Sequence, residues 1–230
     1  MKSAQMRRYG GSDVIVINQN TSLPDPSSEK VLVTVKAAGV NPVDWKIREG
    51  YMRHTMQLDF PLTIGMDFSG TVEKAGTEVR GINQGDDVYG QASVLRGGTG
   101  AFAEMALANA DSIAHKPKSL SHQEAAGIPL VGVSAWQALV ENMALENGQK
   151  ILIHGGAGGI GSISIQLAKH LGAHVATTIS TNDMQFAKEL GADEIIDYKN
   201  QAFENVTHDC DAVFDTVGGD TYRRSFKVLR

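Results

Sequence analysis

The feature that most constrains this chain is Lys150-Ile-Leu-Ile-His-Gly-Gly-Ala-Gly-Gly-Ile-Gly-Ser162. A β-branched, apolar run ends in Gly156-x-Gly158-x-x-Gly161, and Ile163 to Leu171 then carries apolar residues at helical spacing. Strand, glycine turn and helix in that order form a dinucleotide-binding fingerprint, which a bare glycine pattern does not. In this reading Gly156 makes the tight turn, Gly158 lets the backbone approach a pyrophosphate, and Gly161 lets helix and strand pack. Ala157, Gly159 and Ile160 complete the loop. The helix N-terminus adds unpaired N–H groups and a positive dipole end.

The rest of the chain sets this motif in context. Before it, Lys30 to Lys36 alternates as a strand, with Val31, Val33 and Val35 on one face. Phe68 to Ala75, Asp86 to Gly90 and Phe102 to Ala108 are further short strand candidates, spaced as in a small barrel or sandwich. Ser121-His-Gln-Glu124 is a capping-box pattern. A helical region follows, broken around Gly127 and Pro129 and resuming through Trp136 to Leu145. Strand and helix then alternate. Strands are expected at 151–154, 174–179, 194–196 and 211–216, and helices at 160–171, 183–190 and 220–229. Such alternation predicts a parallel doubly wound sheet. The boundary is placed near 121–125, giving domains 1–123 and 124–230.

Composition narrows the function classes. The 230 residues carry a net charge of −5 and no basic run, so nucleic acid is not expected as the main partner. Cys210 is the only cysteine, which excludes an internal disulfide and a thiolate zinc cluster. With no apolar signal core and no stretch long enough to span a bilayer, a cytoplasmic protein without a membrane partner is expected.

Eight segments occur in a telling order: Ala37-Ala-Gly-Val-Asn-Pro-Val-Asp44, Gly65-Met-Asp-Phe-Ser-Gly70, Gly85-Asp-Asp-Val-Tyr-Gly90, Gly100-Ala-Phe-Ala-Glu104, Pro129-Leu-Val-Gly-Val-Ser-Ala-Trp136, the glycine loop, Leu190-Gly-Ala-Asp193 and Asp215-Thr-Val-Gly-Gly219. Together they resemble the medium-chain dehydrogenase/reductase superfamily, specifically its zinc-independent quinone oxidoreductase branch. The resemblance implies an α/β chain: an N-terminal GroES-like β-barrel domain, then a Rossmann domain with strand order 3-2-1-4-5-6. Relatives of this kind continue past Phe226–Arg230 into two more strands and a return segment. The Rossmann sheet is therefore expected to be truncated at its C-terminus, with a bare strand-4 edge. The family's dimer, formed through the final strand, implies a homodimer where that part is present.

The zinc alcohol dehydrogenases of this superfamily carry a cysteine where this chain has Asn41, and a His-Glu pair where it has Met66-Asp67. An amide and a thioether are poor zinc donors, and Asp44 with His54 alone does not make a three-ligand site. No zinc is expected, which disfavours alcohol oxidation and favours hydride transfer to a polarised acceptor such as a quinone or an α,β-unsaturated carbonyl. The resemblance places Asn41, Asp44 and Trp45 near the acceptor. Asn41 would donate to its carbonyl, and Trp45 would stack on a flat ring. Asp44 reads equally as a loop carboxylate bonding local backbone.

NADPH is the expected cofactor. The second Rossmann strand ends in hydroxyls, and Ser180, Thr181 and Asn182 would donate to the 2′-phosphate. Tyr198 matches a family position that contacts that phosphate. Asp183 stands where many relatives have a lysine, and reads as a helix cap. Ser134 and Val217 would touch the cofactor, Ser134 reading equally as a local helix hydrogen bond. His154 and Cys210 read as structural. A non-catalytic NADPH-binding sensor or scaffold is the alternative to an enzyme.

Overall fold

The computed structural model describes residues 1–55 and 57–230. The chain divides into two compact units, Met1–Leu130 and Val131–Arg230.

The first unit is built on two antiparallel sheets. Strands β1 (Ser3–Met6), β2 (Ile15–Asn18), β3 (Lys30–Ala38) and β4 (Leu62–Thr63) are followed by β5 (Asp67–Ala75), β6 (Asp87–Gln91), β7 (Met105–Asn109) and β8 (Ile113–His115). Their orders are β2-β1-β4 and β7-β3-β5-β6-β8. As the alternation of β3 requires, Val31 and Val33 are fully buried against Phe68, Val72 and Val88. Helix α1 (Pro42–Glu49) begins on Asn41-Pro-Val-Asp44, with proline in its first turn, where the missing N–H costs nothing. Helix α2 (His122–Ala126) starts on the expected capping box: Glu124 N–H donates to Ser121 Oγ, and Ser121 N–H donates to the Glu124 carboxylate.

The division between units falls seven residues after the expected boundary. Helix α2 belongs to the first unit because it packs on β5, β3 and β6, and the His122 ring is 2.8 Å from the buried Ser69 hydroxyl. A capping box marks a helix start, which here is not a domain start.

The second unit opens in helix α3 (Pro129–Trp136) and a π-helical stretch, Gln137–Asn142. It continues through β9 (Lys150–His154), α4 (Gly159–His170), β10 (His174–Ile179), α5 (Met184–Glu189), β11 (Glu194–Asp197), β12 (Ala212–Asp215) and α6 (Asp220–Ser225). The sheet is parallel, in the order β11-β10-β9-β12. Helices cover both faces, so β9 is apolar on both sides. Ile151 and Ile153 pack with Ile165, Ala168 and Val175, while Leu152 packs with Ala176, Ile196 and Phe203.

The expected helix over 220–229 stops at Ser225 because the chain turns back to the sheet. Cys210 N–H donates to Val228 C=O, and Arg230 N–H donates to Cys210 C=O. Leu229 thereby forms a parallel bridge to Cys210, beside the start of β12. That bridge lies two residues before β12; among the described residues β12 itself pairs only with β9, so its other edge is bare, as expected. Cys210 is fully buried, and burial pushes its thiol above the usual range.

Candidate functional site

In the second unit the C-terminal ends of β9, β10 and β12 surround a groove of about 470 Å³. The crevice beside such strand ends is where open α/β sheets bind ligands. The glycine turn forms one wall, and each glycine has its own reason to be there. Gly155, not Gly156, is the left-handed turn residue, with φ +74°. A Cβ on Gly156 would lie 2.2 Å from Thr177 Oγ1, and one on Gly161 would lie 2.2 Å from Gly155 C=O. Both are packing glycines. A Cβ on Gly158 would meet only Gly155 C=O, at 3.2 Å, and otherwise open space. Gly158 is also the N-cap of α4. Exposed Ala157 and Gly158 thus line the groove, with the N–H groups of the three-turn helix α4 behind them. Ile160, in the first turn of α4, is half-buried.

The fold holds this turn rigidly. His154 ends β9, fully buried, with its Nε2 3.1 Å from Ser225 Oγ and its Nδ1 2.9 Å from Thr178 Oγ1. Ser225 gives its own proton to Thr221 C=O, so His154 donates from Nε2 and accepts at Nδ1. Thr178 Oγ1 also accepts from Gly155 N–H, at 3.3 Å. Burial lowers the His154 pKa from its ordinary value. The residue is therefore a neutral brace that locks the entry to the turn.

Ala157, Gly158, Ser180, Tyr198 and Val217 line the groove. Val217 is exposed because Asp215 Oδ1 accepts from both Val217 N–H and Gly218 N–H, turning the chain outward. Thr181, Asn182 and Ser134 are not among the lining residues. The Thr181 hydroxyl donates to Asp197, at 2.6 Å. Asn182 is exposed on the one-turn helix Thr181–Asp183, and Ser134 is half-buried in α3. Asp183 makes no side-chain cap to α5, contrary to expectation; its carboxylate lines the groove and accepts from the Ser180 hydroxyl. Arg224 also lines the groove, a residue the sequence did not single out. It forms a two-pronged pair with Glu204 and lies 4.9 Å over the Phe203 ring.

In the first unit, Asn41 and Asp44 come together at the start of α1. Asn41 N–H donates to Asp44 Oδ2 at 2.7 Å, and Asn41 Nδ2 donates to Asp67 Oδ2 at 2.9 Å. All three residues are buried. Burial raises the Asp44 carboxyl to about 6, and neighbouring Asp67 adds to the rise. Asp44 Oδ1 is buried with no hydrogen-bond partner. The geometry thus gives Asp44 a backbone-capping role. Trp45 is 39% exposed and takes the Tyr51 ring edge-on at 5.4 Å. Among the described residues, no group of three or more His, Cys, Asp or Glu side chains is placed to hold a metal ion.

Two family models match the chain: "Alcohol dehydrogenase GroES-like domain" over residues 27–118 and "Zinc-binding dehydrogenase" over residues 159–230. The quinone oxidoreductase from Coxiella burnetii is 36% identical, with a TM-score of 0.89 over 100% of this chain and 73% of that one. The chain belongs to the quinone oxidoreductase branch of the medium-chain dehydrogenase/reductases. Within this branch, the Escherichia coli quinone oxidoreductase complexed with NADPH is 28% identical, with a TM-score of 0.87 over 100% of this chain and 70% of that one. The 2-methylene-furan-3-one reductase of Solanum lycopersicum is 40% identical over 224 residues, which are 95% of this chain and 57% of the relative. The chain therefore spans somewhat over half the length of that curated relative. The GroES-like match lies in the unit that holds Asn41, and the second match begins at the first residue of α4.

Proposed function

We propose that this chain binds NADPH and transfers hydride to a quinone or α,β-unsaturated carbonyl, in the cytoplasm and without zinc. The observation that carries the reading is the contrast among the glycines. Gly156 and Gly161 are closed in by protein, while Gly158 faces the open groove at a helix N-terminus. A pyrophosphate fits that cradle, because a side chain at 158 would fill it. Tyr198 and Ser180 supply hydroxyls to the same groove. The relatives' names and the NADPH-complexed structure support this choice of cofactor and acceptor.

When bound, NADPH supplies the hydride. Reduction of the acceptor would place negative charge on its carbonyl oxygen. The Asn41 amide has two N–H groups; Asp67 takes one, and the other donates to that oxygen as its charge grows. Trp45 offers its exposed ring to a flat acceptor. Water delivers the final proton. Zinc is not needed, because Asn41 does the polarising and the donor chemistry of Asn41 and Met66 does not suit the metal. A homodimer is part of the same proposal.

The test is oxidation of NADPH by the purified protein across a panel of quinones and enones. Turnover with several is expected. Tight NADPH binding with no turnover on any of them would favour a sensor or scaffold role.

A further inference from the structure

We propose that Asp67 is a positioning residue for Asn41, fixing the amide so that it offers a donor to the acceptor. The proposal rests on the role given above to Asn41. Asp67 opens β5 and is fully buried. Its two oxygens gather donors from three separate parts of the unit. Oδ2 accepts from Asn41 Nδ2 at 2.9 Å and from Leu130 N–H at 3.0 Å, and Oδ1 accepts from Gln91 Nε2 at 3.2 Å. An ionised carboxylate only accepts, so the end of the Asn41 amide that faces it must be the NH2. Nothing in a lone asparagine enforces this. A half-turn of the amide would exchange donor for acceptor and set an oxygen against the acceptor's own oxygen. Asp44 meanwhile holds the Asn41 backbone N–H, so the main chain and side chain of one residue are clamped by two carboxylates.

The arrangement carries a cost that packing alone does not explain. A buried carboxylate loses its water, and among the described residues no cation pairs with Asp67. Burial raises its pKa, as it does that of nearby Asp44. The three donors offset part of this, and what the charge provides in return is a fixed orientation at Asn41.

The experiment is a double-mutant cycle on the purified protein, with NADPH and benzoquinone as substrates. D67L is expected to lower kcat by at least about tenfold while leaving NADPH affinity within about twofold, since the glycine turn lies in the other unit. D67N keeps one acceptor oxygen toward Asn41 and is expected to restore most of the rate. In an N41A background, D67L is expected to change kcat by less than about twofold, because the residue it acts through is gone. An equal loss with and without Asn41, or wild-type kcat in D67L, would overturn the proposal. D67S, too short to reach Asn41, replaces D67L in the cycle should the leucine variant not fold. N41A alone separates the two ideas: wild-type kcat there removes the role of Asn41 itself, whereas a low kcat in N41A with normal kcat in D67L removes only that of Asp67.

Discussion

The hydroxyl of Ser180 donates to the carboxylate of Asp183, and both line the groove beside the glycine turn. One residue offered to a 2′-phosphate is thus occupied by a neighbour that would repel it. Asp183→Lys should tighten NADPH by about 1–2 kcal/mol and leave NADH little changed, because it releases Ser180 and reverses a charge. Tyr198→Phe should weaken NADPH by a similar amount and spare NADH. Titration of both variants with both cofactors checks this. Failure of Asp183→Lys to shift the ratio toward NADPH would place the phosphate elsewhere.

Gly158 and Gly161 should fail in different ways when substituted. In Gly161→Ala the new methyl meets Gly155 C=O at 2.2 Å, so the turn itself must move. A loss of about 1–3 kcal/mol in stability is expected without any ligand present. Gly158→Val has room in the protein and should melt near wild type, yet bind neither NADPH nor NADH. Thermal melts with and without cofactor separate the two. A destabilised Gly158→Val that still binds would reverse the assignments.

Asp44→Asn should alter how stability depends on pH. Folded Asp44 titrates at about 6, against 3.8 for the ordinary carboxyl. Between those values the unfolded chain has lost the proton and the folded chain has kept it. Stability therefore falls as pH rises through this window, and the full penalty holds above it. Asn keeps an oxygen for Asn41 N–H and carries no charge. The variant should match wild type near pH 4 and exceed it by on the order of 1–3 kcal/mol at pH 8. Urea midpoints at both pH values measure this, and a variant weaker than wild type at pH 8 would refute it.

His154 contributes with the opposite sign. Burial depresses its pKa below 6.5, so as pH falls past 6.5 the unfolded chain takes up a proton that the folded chain refuses. Stability is lost in that direction. His154→Leu should lose about 1–3 kcal/mol at pH 8, through the partners it leaves at Thr178 and Ser225. The variant should also lack this share of the acid dependence. An unchanged pH slope in paired urea titrations would show that the ring binds its proton equally well in the folded and unfolded chain, and would refute the depressed pKa.

The sequence alone determined what depends on neighbours along the chain. The alternation of Val31 and Val33, the helix start at Ser121, the parallel strands and the glycine turn are local patterns, and each lies within a residue or two of its expected place. Helix α1 was not among the expected elements, although Asn41-Pro-Val-Asp44 carries a cap followed by a first-turn proline. Its brevity hid it, since eight residues show little periodicity. Only the tertiary structure decided which residues meet across the fold. Gly155 takes the left-handed turn, while Gly156 is hemmed in by Thr177 from the next strand. Ser180 turns to Asp183, and Thr181 to Asp197. Asp67 gathers Asn41, Gln91 and Leu130 from positions up to 63 residues away. A side chain's chemistry is written in its identity. Whether its donors stay available depends on which partners folding brings within 3 Å, and no local pattern encodes that.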